Sequence, residues 1–438
     1  MSYWLNLTLF KMGFWLTWAL IPILVEIIPS FISSIKIMIR NHHRPVLTMP
    51  AKMPMISIIV PVYNSEDTLF ACIESIHDST YPIRDIQVIL ADNHSTDDSF
   101  TVFTHAQETF SDLNLSLIHT DQGKAEALNT ALYSAIGTYI INIDSDGVLE
   151  KHALMNMILK FENDFEMAAM TGTILTQRKL LAKHSTLLQR NEYFEYAQAF
   201  LSGRTIETQN NELFTMSGAF SAFRKEAIFN TFLYDISTIG EDTDMTFQIR
   251  DRLKRKVGLC DNAIFYIDPI ENFSKLYTQR QRWQRGEVEV IHQYAHDLTV
   301  KDFFRNFMVR RLLIDHTFLF PRMIWLFASI VLLFFRYSPI MMGMSYVVIY
   351  LLYILVELLN YLCVLQLLQD FPDERKFYRK QLWVAITFPF YNFICAWIRL
   401  VGILNSMTLS SSWNSLPIGD EFKKLFAVFK SDFGRKKK

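Results

Sequence analysis

The sequence predicts an α/β domain with a Rossmann-like, mostly parallel sheet, flanked by transmembrane helices. Between Met55 and about Lys301, short β-rich runs alternate with longer amphipathic stretches, the rhythm of βαβ units. Long apolar blocks lie on either side of that region. The 438 residues are half apolar and 14% aromatic, and their mean hydropathy of +0.14 is above that of an ordinary soluble chain, so some apolar surface is expected to face lipid.

Composition also excludes whole classes. With 36 Phe and 14 Gly, the chain is neither disordered, collagenous nor a coiled coil. A net charge of −1, from 43 basic and 44 acidic residues, gives no positive field to hold phosphate backbones, so nucleic acid is not an expected partner. Cys72, Cys260, Cys363 and Cys395 lack CxxC spacing, which suggests neither a disulfide framework nor a zinc site and fits a reducing, cytoplasmic setting.

Residues 1–40 read as an N-terminal anchor. Met12 to Ile32 carry one charge, Glu26, in 21 positions, enough for one spanning helix. The basic stretch Lys36 to Arg44 follows the apolar core. That order is the reverse of a signal peptide and places the domain after it in the cytoplasm.

Residues 41–300 read as the cytoplasmic domain. Ile56–Val60 is an apolar run suited to a strand buried on both faces, and Ser65–His77 follows with Leu69, Cys72, Ile73 and Ile76 at helical spacing. Ile86–Ala91 and Leu115–His119 read as strands two and three, Ala125–Ile136 as a helix and Tyr139–Ile143 as strand four. Ligands of such sheets bind at the carboxyl ends of the strands. An amphipathic interfacial helix is expected near 272–295.

Residues 301–404 contain three further apolar blocks: Phe318–Phe335, Ile340–Leu368 and Leu382–Leu404. The first two form a hairpin around Arg336–Pro339. The third has basic sequence on both sides and Pro389 near its middle, so it reads either as a further crossing or as a re-entrant or interfacial segment. Glu357 and Arg399 within these blocks point to helix pairing or a polar interior. Residues 405–438 form a basic tail whose Phe422, Leu425, Phe426 and Phe429 suit an amphipathic surface helix.

Four short segments carry candidate chemistry. Asp92 to Asp97, just past strand two, reads as a ligand-binding carboxylate with its turn, or as an Asx turn or helix cap alone. Asp144 and Asp146 end strand four at i and i+2. Two acids so placed suit a divalent cation completed by phosphate oxygens, or else a solvated turn before Gly147. Glu241-Asp242-Thr243-Asp244 precedes an amphipathic helix; Asp242 is a candidate general base and Asp244 a helix cap. In Gln279-Arg280-Gln281-Arg282-Trp283, Arg282 suits a pyrophosphate and Trp283 a sugar face, although a membrane-surface helix with snorkelling arginines has the same pattern.

Taken together, Pro61-Val62-Tyr63-Asn64, Asp92 with Ser95-Thr96-Asp97, Gly123-Lys124 with Ala127-Leu128-Asn129, Asp144-x-Asp146, Ser217-Gly218-Ala219-Phe220, Glu241-Asp242 and Gln279-x-x-Arg282-Trp283 stand in the order seen in family-2 glycosyltransferases. The chain resembles the membrane-embedded branch that includes cellulose, chitin, hyaluronan and poly-N-acetylglucosamine synthases. It is similar, too, to glycosyltransferases found with exosortase-type sorting systems in Gram-positive bacteria. The resemblance covers about residues 55 to 300.

This resemblance implies a GT-A fold, a UDP-sugar donor, Mg²⁺ or Mn²⁺, and inversion in one displacement. It implies that Pro61, Tyr63, Asn64, Asp92 and Lys124 serve the nucleotide, with Asp92 on uracil or ribose. Asp144 and Asp146 would approach the sugar diphosphate, with Asp146 on the metal. Asp242, beside Glu241, would be the base. Ser217, Gly218, Ala219 and Phe220 would border the acceptor, and Gln279, Arg282 and Trp283 would hold the pyrophosphate and the glycan end. One departure stands out: Asp92-Asn93 replaces two consecutive acids, and His94 stands where a small residue is usual, which points to an altered turn or nucleotide preference.

The expected function is therefore a multi-pass cell-membrane enzyme that adds sugar to a growing cell-envelope or extracellular polysaccharide. Single transfer to a polyprenyl-phosphate or other lipid acceptor is the alternative. A catalytically silent scaffold with envelope-assembly partners is a third reading, disfavoured because Asp144, Asp146 and Asp242 are all present.

Overall fold

The computed structural model describes residues 23–42, 46–295 and 338–408, together with positions 327, 330, 331, 334 and 419. The strands are β1 (Ile56–Val62), β2 (Ile86–Asp92), β3 (Asn114–His119), β4 (Tyr139–Ile143), β5 (Gly147–Leu149), β6 (Met167–Thr176), β7 (Phe220–Arg224) and β8 (Lys256–Ile267). The principal helices are α1 (Ile28–His42), α2 (Leu69–His77), α3 (Ser99–Thr109), α4 (Lys124–Ser134), α5 (Ala153–Asn163), α6 (Leu187–Tyr196), α7 (Glu241–Phe247), α8 (Phe273–Ala295), α9 (Pro339–Leu367), α10 (Pro372–Arg379) and α11 (Val384–Thr408).

The strands form one sheet in the order β3-β2-β1-β4-β7-β6-β8-β5. Because β2 lies on one side of β1 and β4 on the other, the winding direction reverses there. That reversal opens a crevice at the carboxyl ends of β1 and β4.

The expectation of a mostly parallel sheet needs correction. Pairing is parallel across β3-β2-β1-β4 and between β6 and β8, but β7 runs antiparallel to both β4 and β6, and β5 antiparallel to β8. Parallel neighbours need a crossover of a dozen or more residues. The sheet is mixed beyond β4 because β7 inserts antiparallel between β4 and β6, and β5 closes the far edge antiparallel to β8.

Side chains along β1 alternate between two cores, as the two-residue period of a strand requires. Ile58, Val60 and Val62 pack with Leu69, Cys72, Ile76 and Phe161 on one face. Ile59 packs with Leu128, Leu132, Met245 and Ile249 on the other. All four cysteines are buried and free.

A third apolar cluster joins this domain to the C-terminal helices. It brings Phe194 of α6 together with Tyr361 of α9, Tyr378 of α10 and Phe388 and Tyr391 of α11. Among the described residues, two helical stretches, Pro339–Asp370 and Val384–Asn405, are long and apolar enough to cross a membrane. The first matches the expected block Ile340–Leu368. The second contains Pro389 within a continuous helix. Most of the expected span Phe318–Phe335, most of Met12–Ile32 and most of the 405–438 tail lie outside the described residues.

Helix α1 turns an exposed stripe of Phe31, Ile32, Ile35, Met38 and Ile39 outward. Arg40, at its end, lies 3.4 Å from Asp261 of β8. Arg399, read from the sequence as a charge within an apolar block, donates from Nε to Gln284 Oε1 at 2.6 Å. It therefore pairs α11 with α8.

Candidate active site

The loops beyond β1 and β2 are tied together by side chains. Asn64, in a left-handed conformation with φ 48°, accepts from the Thr96 backbone N–H at 2.8 Å. Asn64 N–H donates to Ser95 Oγ at 3.1 Å. Asp92 Oδ1 accepts from Ser95 N–H at 3.1 Å, and Oδ2 lies 3.0 Å from His119 Nδ1 at the end of β3. Burial pushes the Asp92 carboxyl up, but the bonds to Ser95 and His119 together outweigh it and hold the group below its ordinary value. Tyr63 is exposed, while Pro61 sits inside β1 opposite Ala91.

Asn93 and His94, the two residues of the Asp92-Asn93-His94 departure, have defined roles in the turn. Asn93 Oδ1 accepts from Gly123 N–H at 2.6 Å, and Asn93 N–H donates to Val62 O at 2.8 Å. An amide thus bridges β1 and the turn into α4, where Gly123 adopts φ +134°, a value that side-chain-bearing residues rarely take. His94 has φ 57°, a conformation costly for most residues and cheap for glycine, which explains why small residues suit this position.

The acids converge on Lys124, the first residue of α4. Its Nζ donates to Asp144 Oδ1 at 2.6 Å and lies 4.0 Å from Glu241 Oε1. Asp144 and Asp146 occupy the tight turn between β4 and β5 rather than an extended segment, and their surroundings differ. Asp146 is open to solvent, yet desolvation by the protein around it and the charge of Asp144 push its carboxyl up to about 6, with Lys124 offsetting part of the rise. Access to water screens some of that effect.

Glu241 and Asp242 open α7. Glu241 is buried, and desolvation pushes it up to about 7 despite Lys124. Asp242 Oδ2 accepts from Gly218 N–H at 3.1 Å, and Oδ1 from Thr243 N–H at 2.7 Å. Ser217 N–H in turn donates to Thr171 Oγ1 at 3.0 Å, and Phe220 N–H donates to Ser217 O at 3.2 Å. The Ser217–Phe220 turn, with Ala219, is therefore fixed against Asp242. Beneath these groups lies a cavity of about 10 Å³ between Lys124, Asn142, Tyr234, Glu241 and Asp242, room for about one water.

Helix α8 presents its motif unevenly. Arg282 and Trp283 are exposed, whereas Arg280 is buried. Arg280 donates to Glu195 Oε2 at 2.6 Å and to Gln279 Oε1 at 2.7 Å, and its guanidinium lies 4.3 Å from the Trp283 ring centre. The Trp283 ring meets Phe200 edge-on at 6.0 Å. Three residues on, Gly286 touches the Gly240 backbone, so α8 runs directly against the start of α7.

Sequence reasoning missed three residues close to these groups. Tyr234 takes a hydrogen bond from Asn142 Nδ2 on its hydroxyl and pairs its backbone with Asn129; nothing in its local sequence marks it. Arg204 is buried, stacks at 4.5 Å on Phe200 and reaches Thr171 Oγ1 at 3.5 Å. An isolated arginine after the apolar run Ala199-Phe200-Leu201 was a readable signal. His119 carries no sequence signal beyond its place at the end of a strand.

Residues 57–231 match the family described as Glycosyl transferase family 2. A poly-beta-1,6-N-acetyl-D-glucosamine synthase of Staphylococcus aureus is 24% identical over 282 residues, covering 64% of this chain and 62% of its own length. The Staphylococcus epidermidis protein of the same name is 23% identical over 257 residues, covering 59% and 58%. The chain thus spans less than two thirds of the length of these relatives. Its fold is like that of the mannosyltransferase PcManGT from Pyrobaculum calidifontis, solved in complex with GDP-Man and Mn2+, with a TM-score of 0.56 at 16% identity over 78% of this chain and 96% of that one.

Proposed function

We propose that the chain, whose residues 57–231 match glycosyl transferase family 2 and which has a GT-A-like, Rossmann-type fold, is an inverting transferase that moves sugar from a UDP-sugar to a growing cell-envelope or extracellular polysaccharide. The observation that carries this reading is the convergence of Lys124, Asp144, Glu241 and Asp242 at the carboxyl end of β4, where the sheet reverses its winding. The likeness to poly-N-acetylglucosamine synthases supports a polymeric acceptor.

In this reading Asp242 takes the proton of an acceptor hydroxyl as that oxygen attacks the anomeric carbon. The bond from that carbon to UDP breaks, and its electron pair leaves on the diphosphate. Asp242 is held in place by the Gly218 and Thr243 N–H groups, and two bonded carboxylate oxygens still leave lone-pair capacity for the hydroxyl. Asp92, with Pro61, Tyr63 and Asn64 around it, faces the nucleotide from the ends of β1 and β2. Gln279, Arg282 and Trp283 border the diphosphate and the sugar chain, Trp283 offering an apolar ring face. Ser217 to Phe220 line the acceptor side.

The donor set fits Mg²⁺ or Mn²⁺. Asp144 and Asp146 offer hard carboxylate oxygens in one turn, and the Asp144 charge, which adds to desolvation in raising Asp146, is of the kind a cation offsets. Such an ion, when bound, supplies charge to offset the departing UDP. The apolar helices Pro339–Asp370 and Val384–Asn405, with the exposed stripe of α1, support a membrane-bound enzyme whose catalytic domain lies in the cytoplasm.

The test is UDP release by the full chain in nanodiscs with Mn²⁺ and a panel of UDP-sugars, followed by sizing of the product. Polymer made from one donor supports the proposal. Lipid-soluble product without polymer would transfer it to a lipid acceptor, and release from no donor would return the chain to the scaffold reading.

A further inference from the structure

We propose that Glu289 of α8 is a positioning residue that caps the start of α7 from outside and so fixes where Asp242 stands. The inference rests on the reading of Asp242 as the base. The N-cap position of α7 is Gly240, which has no side chain and makes no side-chain cap of its own. The donors just before it find their acceptor on another helix. Glu289 Oε2 accepts from Ile239 N–H and from Thr238 Oγ1, each at 3.2 Å. Thr238 Oγ1 accepts in turn from Gly240 N–H at 3.1 Å. The carboxylate therefore takes, directly and through one hydroxyl, the backbone donors of the two residues that lead into α7.

The backbones meet at the same place. A methyl on Gly240 would stand 2.7 Å from Gly286 O, and one on Gly286 would stand 3.0 Å from Gly240 Cα. Neither neighbour is a flexible side-chain tip, so α8 and the Thr238–Gly240 loop have no slack between them. Farther along, Tyr294 OH donates to Asp244 Oδ1 at 2.6 Å, and Val290 packs with Phe247 and Phe214. Helix α8 thus grips both ends of α7.

The other flank of α8 is locked to an apolar helix. Arg399 of α11 bonds Gln284, and a methyl on Gly402 would lie 3.2 Å from Gln284 Cβ. The position of Asp242 is set by a helix that is itself held on α11. Rates fall steeply when a catalytic group is displaced by even about 1 Å, by up to about 10²-fold.

The test uses the full chain in nanodiscs, with UDP affinity, thermal unfolding, kcat and KM measured for Glu289→Ala, Glu289→Gln and Gly286→Ala beside Asp242→Asn. Glu289→Ala and Gly286→Ala are expected to lower kcat about tenfold or more, with UDP affinity and donor KM little changed. Glu289→Gln keeps an acceptor oxygen and is expected to restore most of kcat. Wild-type kcat in Glu289→Ala, or parallel losses of UDP binding and folding that Gln does not rescue, would overturn the inference. If Asp242→Asn turns over normally, the base assignment fails and this inference with it. If Asp242→Asn is inactive while Glu289→Ala is normal, only the positioning role fails. A wild type without turnover on any donor sinks both.

Discussion

Lys124 Nζ lies 2.6 Å from Asp144 Oδ1, with Glu241 Oε1 at 4.0 Å on its other side, so one ammonium holds two acids from different elements in register. Burial works against that charge, but Asp144 and Glu241 outweigh it and raise the amine above its ordinary value. Replacing Lys124 with Met leaves both carboxylates unpaired. Transfer is expected to fall at least about 10²-fold, measured as initial UDP release at saturating donor, and the protein should still bind detergent or nanodisc lipid as the parent does.

Asp146 is expected to govern metal dependence. Asp146→Asn should raise the Mn²⁺ concentration for half-maximal UDP release at least about tenfold, while Asp242→Asn, on α7, should leave Mn²⁺ binding by titration unchanged. Equal Mn²⁺ affinity in Asp146→Asn and wild type would remove Asp146 from the metal.

The two arginines of the α8 motif should separate cleanly. Arg280 is buried in an ion pair with Glu195, which also accepts from Tyr391 OH at 2.6 Å. Arg280→Ala would strand a carboxylate and is expected to destabilise by about 3 kcal/mol, seen in thermal unfolding. Arg282 is exposed, so Arg282→Ala should change stability by less than about 0.5 kcal/mol while weakening UDP binding. Reversed results would exchange their roles.

The sequence pattern foretells β1 to β4, the helices α2 and α4 and the order of the acidic segments, because buried parallel strands and their amphipathic crossovers leave strong local periodicity. The mixed half of the sheet does not show, because β7 pairs with β4 and β6, and β8 with β5 and β6, each across a long stretch of intervening chain. The motif acids were readable by type and order. What was not readable was how they divide: Asn93 bracing Gly123, Lys124 bound to Asp144, and Arg280 rather than Arg282 buried. Those are long-range pairings, which spacing alone does not encode.

Glu192 offers a pH test away from the reaction. Burial pushes its carboxyl up to about 7 from an ordinary 4.5, although the Ile270 N–H bond and Arg280 pull it down. Between those two values the folded chain keeps a proton that the unfolded chain has released, so stability should fall as pH rises from about 4.5 to about 7. Glu192→Gln, which keeps an oxygen for the Ile270 N–H, should flatten that slope in unfolding measurements. An unchanged slope would place the titrating group elsewhere.

The most direct measurement is transfer and donor binding by Asp242→Asn beside wild type, with the UDP-sugar that supports turnover. The proposed chemistry predicts that UDP-sugar binds with wild-type affinity while transfer falls about 10²-fold or more. Wild-type transfer by Asp242→Asn would contradict it.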